Sequence, residues 1–242
     1  MTILGIIDTE TDSLDPSTCT AVELAIKVYD TDTKTSLMAF SALLPADENK
    51  AEELNNIPVE ALQLPLIKND KFSVSVFNYL IKACDVLVAH NKSFDSIVTA
   101  RILAKFGFTA DKRWVCTVNE VDFPNQKKSK SLSYLALDHG IYLTGTHRAL
   151  VDSHILEELI KKVPDIEQQL LPKKKYQAVV PYEEKDKAKD LGFRWDGEKK
   201  IWFKSLSEAA YTALRDSCGF ELRSIDDEID ELTNIVQPET KK

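Results

Sequence analysis

Asp8-Thr9-Glu10 closes an apolar run that starts at Ile3. On a strand, residues two apart project from the same face, so Asp8 and Glu10 would point together. Two carboxylates held that way repel each other unless a cation sits between them. An isolated Asp-X-Glu of this kind is nevertheless more often a solvated strand end. A second acid, Asp95, follows the buried run Val86–Ala89 and the polar turn His90-Asn91, near the start of a helical pattern. That places it at the C-terminal edge of a sheet, where open α/β sheets put their ligands. Taken alone it would be an ordinary acid of a first helical turn. The third group is His147-Arg148-Ala149-Leu150-Val151-Asp152. Here Asp152 lies in the first turns of a helix and His147 five residues earlier, on its lead-in, so a metal-binding acid and an imidazole can share one cavity. By itself this segment also describes a surface histidine before a helix.

Order and spacing bind the three groups together. Asp8-Thr9-Glu10, Ala89-His90-Asn91…Phe94-Asp95 and His147-Arg148-Ala149…Asp152 closely resemble the three exonuclease motifs of the DnaQ-like superfamily, in its DEDDh variant. The resemblance continues through Trp114-Val115-Cys116-Thr117, Leu132-Ser133-Tyr134-Leu135-Ala136 and Gly140-Ile141, covers about residues 1–163, and is nearest to exonuclease X and proofreading-type members. It implies a ribonuclease H-like α/β fold, a mixed sheet flanked by helices. It also implies a metal-dependent 3′→5′ exonuclease that releases nucleoside 5′-monophosphates from DNA 3′ ends. Asp8, Glu10 and Asp152 would hold one Mg²⁺ (Mn²⁺ as substitute), Asp8 would bridge to a second ion, and Asp95 would act mainly through water. Oxygen donors suit such hard cations, and two ions can stabilise the attacking and the leaving oxygen of one in-line displacement. His147 would be the general base. Thr9, Leu14, His90, Asn91 and Arg148 would serve the substrate, Leu14 by packing on terminal bases and Asn91 by shaping the turn that aims Asp95. One departure is Thr11-Asp12-Ser13, where relatives commonly carry Thr-Gly; Asp12 reads as a solvated surface acid. Residues 52–69 follow the pattern only loosely. The alternatives are an exoribonuclease with the same catalytic set, and a binding or scaffold protein that keeps the fold without turnover.

The elements that must position these groups are legible in the hydrophobic pattern. Residues 3–8, 21–29 and 36–44 read as strands of an antiparallel meander, and 86–89 as a short buried strand. Residues 72–83, 94–106, 131–138 and 149–163 carry helical spacing. Pro164, Pro172 and Lys173-Lys174-Lys175 mark residues 164–175 as a linker. Beyond it, residues 176–225 read as a small α+β module: strand 176–180, charged helix 183–191, a hairpin turning at Asp196-Gly197, helix 206–217 and a last strand near 220–222. An acidic tail, 226–242, follows. The module resembles a small domain of unknown function found in DNA-processing proteins.

Bulk properties set the limits. The chain has 242 residues, 43% hydrophobic, enough for one large domain and a small appendage. No apolar run approaches the roughly 20 residues of a membrane span, and the four cysteines are scattered, which suggests free thiols and a cytoplasmic setting. A net charge of −8 argues against high-affinity duplex binding by electrostatics alone. It leaves room for a nuclease whose ions meet the phosphate. The expected partner is therefore a nucleic-acid 3′ end, single-stranded DNA favoured, with a polymerase or repair protein as a further partner. Residues 173–204 hold ten Lys and Arg against six acids, a local balance of +4. Arg194 and Lys199 on the hairpin are the expected nucleic-acid contacts there. Trp195 and Trp202 read first as core, with a base-stacking platform as the alternative.

Overall fold

A computed structural model describes residues 2–127, 129–143 and 145–225. They fall into two compact units that divide between Leu170 and Leu171. The 226–242 tail lies outside the described residues.

The first unit is built on a five-stranded sheet in the order β3-β2-β1-β4-β5. Strands β1 (Ile3–Thr11), β2 (Ala21–Asp30) and β3 (Thr35–Leu43) form the antiparallel meander, while β4 (Val86–Ala89) and β5 (Arg113–Cys116) run parallel to β1. Two short helices, α1 (Glu52–Asn55) and α2 (Val59–Leu62), follow β3; Leu62 and Ile57 pack on Val22. The longer helices are α3 (Asp70–Ala83), α4 (Lys92–Ala104), α6 (Leu132–Asp138) and α7 (Ala149–Ile160). Between them stands α5 (Thr117–Glu120), and α8 (Ile166–Gln169) ends the unit.

Strand alternation splits this unit's core in two. Leu4 and Ile6 of β1 join Val86, Val88 and Val115 beneath α6 and α7. Ile7 joins Leu24, Ile26 and Leu87 beneath α3 and α4. A sheet buried on both faces explains the near-continuous apolar runs. Gly5 lets β1 and β4 pack closely, because a Cβ there would stand 2.8 Å from Leu87 Cδ2 and force that side chain to shift. The short β5 carries no alternation that announces it; its Arg113 and Trp114 are only half-buried.

The second unit is an antiparallel sheet, order β7-β8-β6-β9, from β6 (Lys173–Val179), β7 (Arg194–Asp196), β8 (Ile201–Ser207) and β9 (Glu221–Ile225). A 3₁₀ turn (Tyr182–Glu184) leads into α9 (Lys185–Asp190), and α10 (Glu208–Arg215) follows β8. Its core holds Tyr176, Ala178, Phe193, Leu206 and Leu222, with Tyr176 stacked on Tyr211 at 4.3 Å between centroids.

Two local readings gain detail. Residues 164–175, read as a linker, contain the division between the units; they hold α8, with Leu170 and Ile166 drawn onto the α7 side of the core, and the first residues of β6. The hairpin expected around Asp196-Gly197 joins β7 to β8: Asp196 pairs with Ile201, so the loop has four residues, and Lys200 takes the left-handed position at φ 51°. The Asp196 carboxylate accepts the N–H groups of Glu198 and Lys199, at 3.0 and 2.9 Å, and this stabilises the wider turn.

Candidate active site

Strand parity sorts the acids. Along β1 the side chains of Leu4, Ile6, Asp8 and Glu10 alternate to one face, the α7 face, while Ile7 and Thr9 turn to α4. Asp152 is in the first turn of α7. Asp8, Glu10 and Asp152 thus meet, each offering a carboxylate oxygen within 4.8 Å of the others. Asp95, fourth residue of α4, arrives from the opposite face and accepts a 2.9 Å hydrogen bond from Thr9 Oγ1. Its helix starts at Lys92, ahead of the expected start, because Asn91 O already accepts the N–H groups of Phe94 and Asp95.

Burial and repulsion dominate the electrostatics. Burial first, then the charges of Asp95, Asp152, Glu10 and Glu23, push Asp8 well above the usual carboxylate range. The same causes, burial followed by Asp152 and Glu23, bring Glu10 to about 8. Asp95 is raised to about 7 by burial, against the pull of its hydrogen bonds. Asp152 is also raised by burial, although the His147 N–H, donating to Oδ2 at 3.1 Å, draws it down. The other Asp152 oxygen, Oδ1, is buried without a hydrogen-bond partner. Three converging carboxylates, one with an orphaned buried oxygen, form an oxygen-only donor set that fits a hard divalent cation.

His147 is exposed and holds the left-handed conformation at φ 65°, which costs a non-glycine residue energy and is kept where the surroundings demand it. The residues that follow it are held by a group the motif reading overlooked. Glu23 stands directly opposite Glu10 in the β1–β2 register and is 3% exposed. It takes Arg148 Nε and Nη2 at 3.0 and 3.2 Å, the Ala149 N–H at 3.1 Å and the Ser41 hydroxyl at 2.9 Å. The segment that carries His147 is thereby pinned to β2. A lone Glu inside the apolar run Ala-Val-Glu-Leu-Ala was the available signal, since a buried charge must find a partner.

Several residues expected at the substrate are committed internally. Thr9 is buried and serves Asp95. His90 places Nδ1 3.0 Å from Thr117 Oγ1 and Nε2 2.7 Å from Lys130 O, and burial lowers its pKa. Arg148 is held by Glu23. Leu14, 86% exposed, and the exposed Asn91 remain available. Arg194 and Lys199 are exposed on the hairpin of the second unit. Asp12 corrects the solvated reading: it is buried, and its Oδ1 accepts the Thr20 N–H at 2.7 Å, closing the β1–β2 loop.

A second acidic group, His154, Glu157 and Glu158, is of a different kind. Lys27 and Lys161 lie 2.7 and 2.5 Å from the Glu157 carboxylate. Burial would raise this acid, but the hydrogen bonds from the two lysines overcome it and lower its pKa. The charge is already neutralised, which leaves no place for a cation.

Residues 174–215 match the family model of a domain of unknown function, DUF8626. No curated protein matches the chain. Solved structures do resemble it. One structure of exonuclease I aligns with a TM-score of 0.58 at 16% identity, covering 74% of this chain and 48% of that one. The E. coli enzyme in its zinc-bound form with single-stranded DNA gives 0.60 at 15%, with the same coverage. Its complex with a dT13 oligonucleotide gives 0.57 at 14%, covering 74% and 49%. The chain thus spans about half the length of these exonuclease I structures and shares with them the mixed sheet flanked by helices, a ribonuclease H-like fold.

Proposed function

We propose that the chain is a divalent-metal-dependent 3′→5′ exonuclease that releases nucleoside 5′-monophosphates from single-stranded DNA. The observation that carries this reading is the convergence of Asp8, Glu10 and Asp152 within 4.8 Å, with the segment bearing His147 bonded to Asp152. The fold shared with exonuclease I, solved with single-stranded oligonucleotides, supports the substrate class.

Asp8, Glu10 and Asp152 would hold Mg²⁺ or Mn²⁺. When bound, the ions supply Lewis acidity at the phosphate and a more acidic attacking water. Asp95, held by Thr9, contributes negative charge from the other side of β1 and acts through water. His147 accepts the proton of the attacking water on its ring, and the bond from its own N–H to Asp152 keeps base and ligand in register. Glu23 and Arg148 position that segment. Leu14 packs on the terminal base, and Asn91 shapes the turn beneath Asp95. Arg194 and Lys199 add cationic contacts to the strand. Exonuclease I has also been solved with the C-terminus of SSB, which makes a single-strand-binding protein a partner to test.

The test is a panel of 3′-end-labelled and 5′-end-labelled DNA and RNA strands with Mg²⁺, Mn²⁺ or EDTA. The expected result is metal-dependent shortening from the 3′ end, strongest on single-stranded DNA. Absence of trimming on every strand, with folded protein, would refute the proposal.

A further inference from the structure

In the second unit the register pairs Trp195 with Trp202, and Trp202 with the buried Ala178. Cross-strand partners share a face, so all three stand on the side of the sheet that packs its helices. Yet Trp195, on edge strand β7, is 52% exposed. Its ring lies 5.6 Å from that of Trp202, tilted by 57°. The two indoles, with Pro181, Ile201 and Tyr182, line a hollow of about 210 Å³. That is smaller than the roughly 300–1,000 Å³ of a drug-sized pocket, and suits one flat group.

The hollow itself carries one charge, a positive one. Lys200 is the sole charged residue lining it among the described residues. Tyr182 is 76% exposed, with Lys185 Nζ 4.0 Å from its ring centroid. The hairpin that carries Trp195 and Lys200 belongs to a segment, residues 173–204, of local balance +4 on a chain of −8. Open aromatic faces interleaved with cations are what an unpaired base and its phosphates require.

We propose that this hollow is a stacking site for a base of single-stranded nucleic acid, with Trp195 and Tyr182 providing ring faces and Lys200 meeting the phosphate. The proposal deepens the nuclease reading and rests on it only for the identity of the polymer. A stacking site accepts any base, so it would hold the strand without choosing its sequence.

The experiment uses the full chain carrying Asp8→Ala, in EDTA, with 3′-fluorescein dT20 and rU20 followed by anisotropy. Trp195→Ala should weaken binding about 5- to 100-fold, the scale of one lost base stack, and Trp195→Phe should restore most of it. Lys200→Ala should weaken binding and flatten its salt dependence. Matched circular dichroism and melting confirm that the variants fold. Equal loss with both oligonucleotides identifies stacking independent of the sugar; loss with only one still supports the site and names its polymer. Unchanged binding of folded Trp195→Ala to both would overturn the proposal. The nuclease reading is read separately, by trimming of labelled DNA by the chain with Asp8 intact. Binding without trimming would retain this site and reject that reading.

Discussion

The two units solve opposite problems of charge. In the first, four carboxylates are brought to one end of a sheet, where burial raises all of them and neighbouring acids push Asp8 and Glu10 further. In the second, aromatic rings and cations stay at the surface, and the core is left to Tyr176, Ala178, Phe193, Leu206 and Leu222. The first arrangement fits a cation, whereas residues 173–204, most of them in the second unit, carry a local balance of +4. A net charge of −8 is therefore the sum of unlike regions and does not by itself argue against the proposed nucleic-acid binding.

This contrast can be broken at the first unit, beginning with its central acid. Asp8→Ala should reduce trimming below detection and abolish metal binding measured by calorimetry, while oligonucleotide binding by the second unit persists. Retained Mg²⁺ binding would remove Asp8 from the ligand set. Next in size, His147→Ala should slow turnover about 10²–10⁴-fold, the usual contribution of a general base, with metal binding intact. An unchanged rate would dismiss His147 as the base. Smaller again, Glu23→Gln loosens the anchor of Arg148 and Ala149 without touching substrate. We expect about 10–100-fold in kcat, the scale for residues that orient metal ligands. KM should be little changed, and the pH profile should keep its shape. A loss confined to KM would place Glu23 in binding instead.

The last prediction concerns stability. Glu10 has an ordinary value of 4.5 and is raised to about 8 in the fold, so the folded state holds its proton more tightly than the unfolded chain. Its contribution is fully present below about pH 4.5 and is lost as pH rises toward 8. Metal-free protein should therefore melt at falling temperature from pH 5 to 8. Glu10→Gln should flatten that slope, and so should Mg²⁺. An identical slope in Glu10→Gln would show that the repulsion among these acids does not bear on the fold. The second unit supplies a matched control, since oligonucleotide binding there should be indifferent to Mg²⁺.

Much of the first unit was legible in sequence because its rules are local. Parity on β1 put Asp8 and Glu10 on one face, and the apolar runs marked β2, β4 and the helices α3, α4 and α7. Where contacts were distant, the sequence was silent. The bonds from Thr9 to Asp95 and from Arg148 to Glu23 join residues 86 and 125 positions apart. Asp12 looked solvated because the strand it caps against returns only at Thr20. Strand β5 was too short to show a period, and the hairpin loop depended on the Asp196 side chain more than on its Asp-Gly dipeptide.

By itself the sequence determined which residues can do chemistry: the strand period of two fixed the shared face of Asp8 and Glu10, and helix spacing put Asp152 at the start of α7. The tertiary structure alone decided which of them converge. It drew Asp152 to the acids of β1 and left Asp95 to Thr9 on the far face. It closed both nitrogens of His90, pinned Arg148 to Glu23, and left Trp195 uncovered on an otherwise packed face. The physical reason is that face and period are properties of a few consecutive residues, whereas pairing and exposure depend on which elements the sheet order makes neighbours.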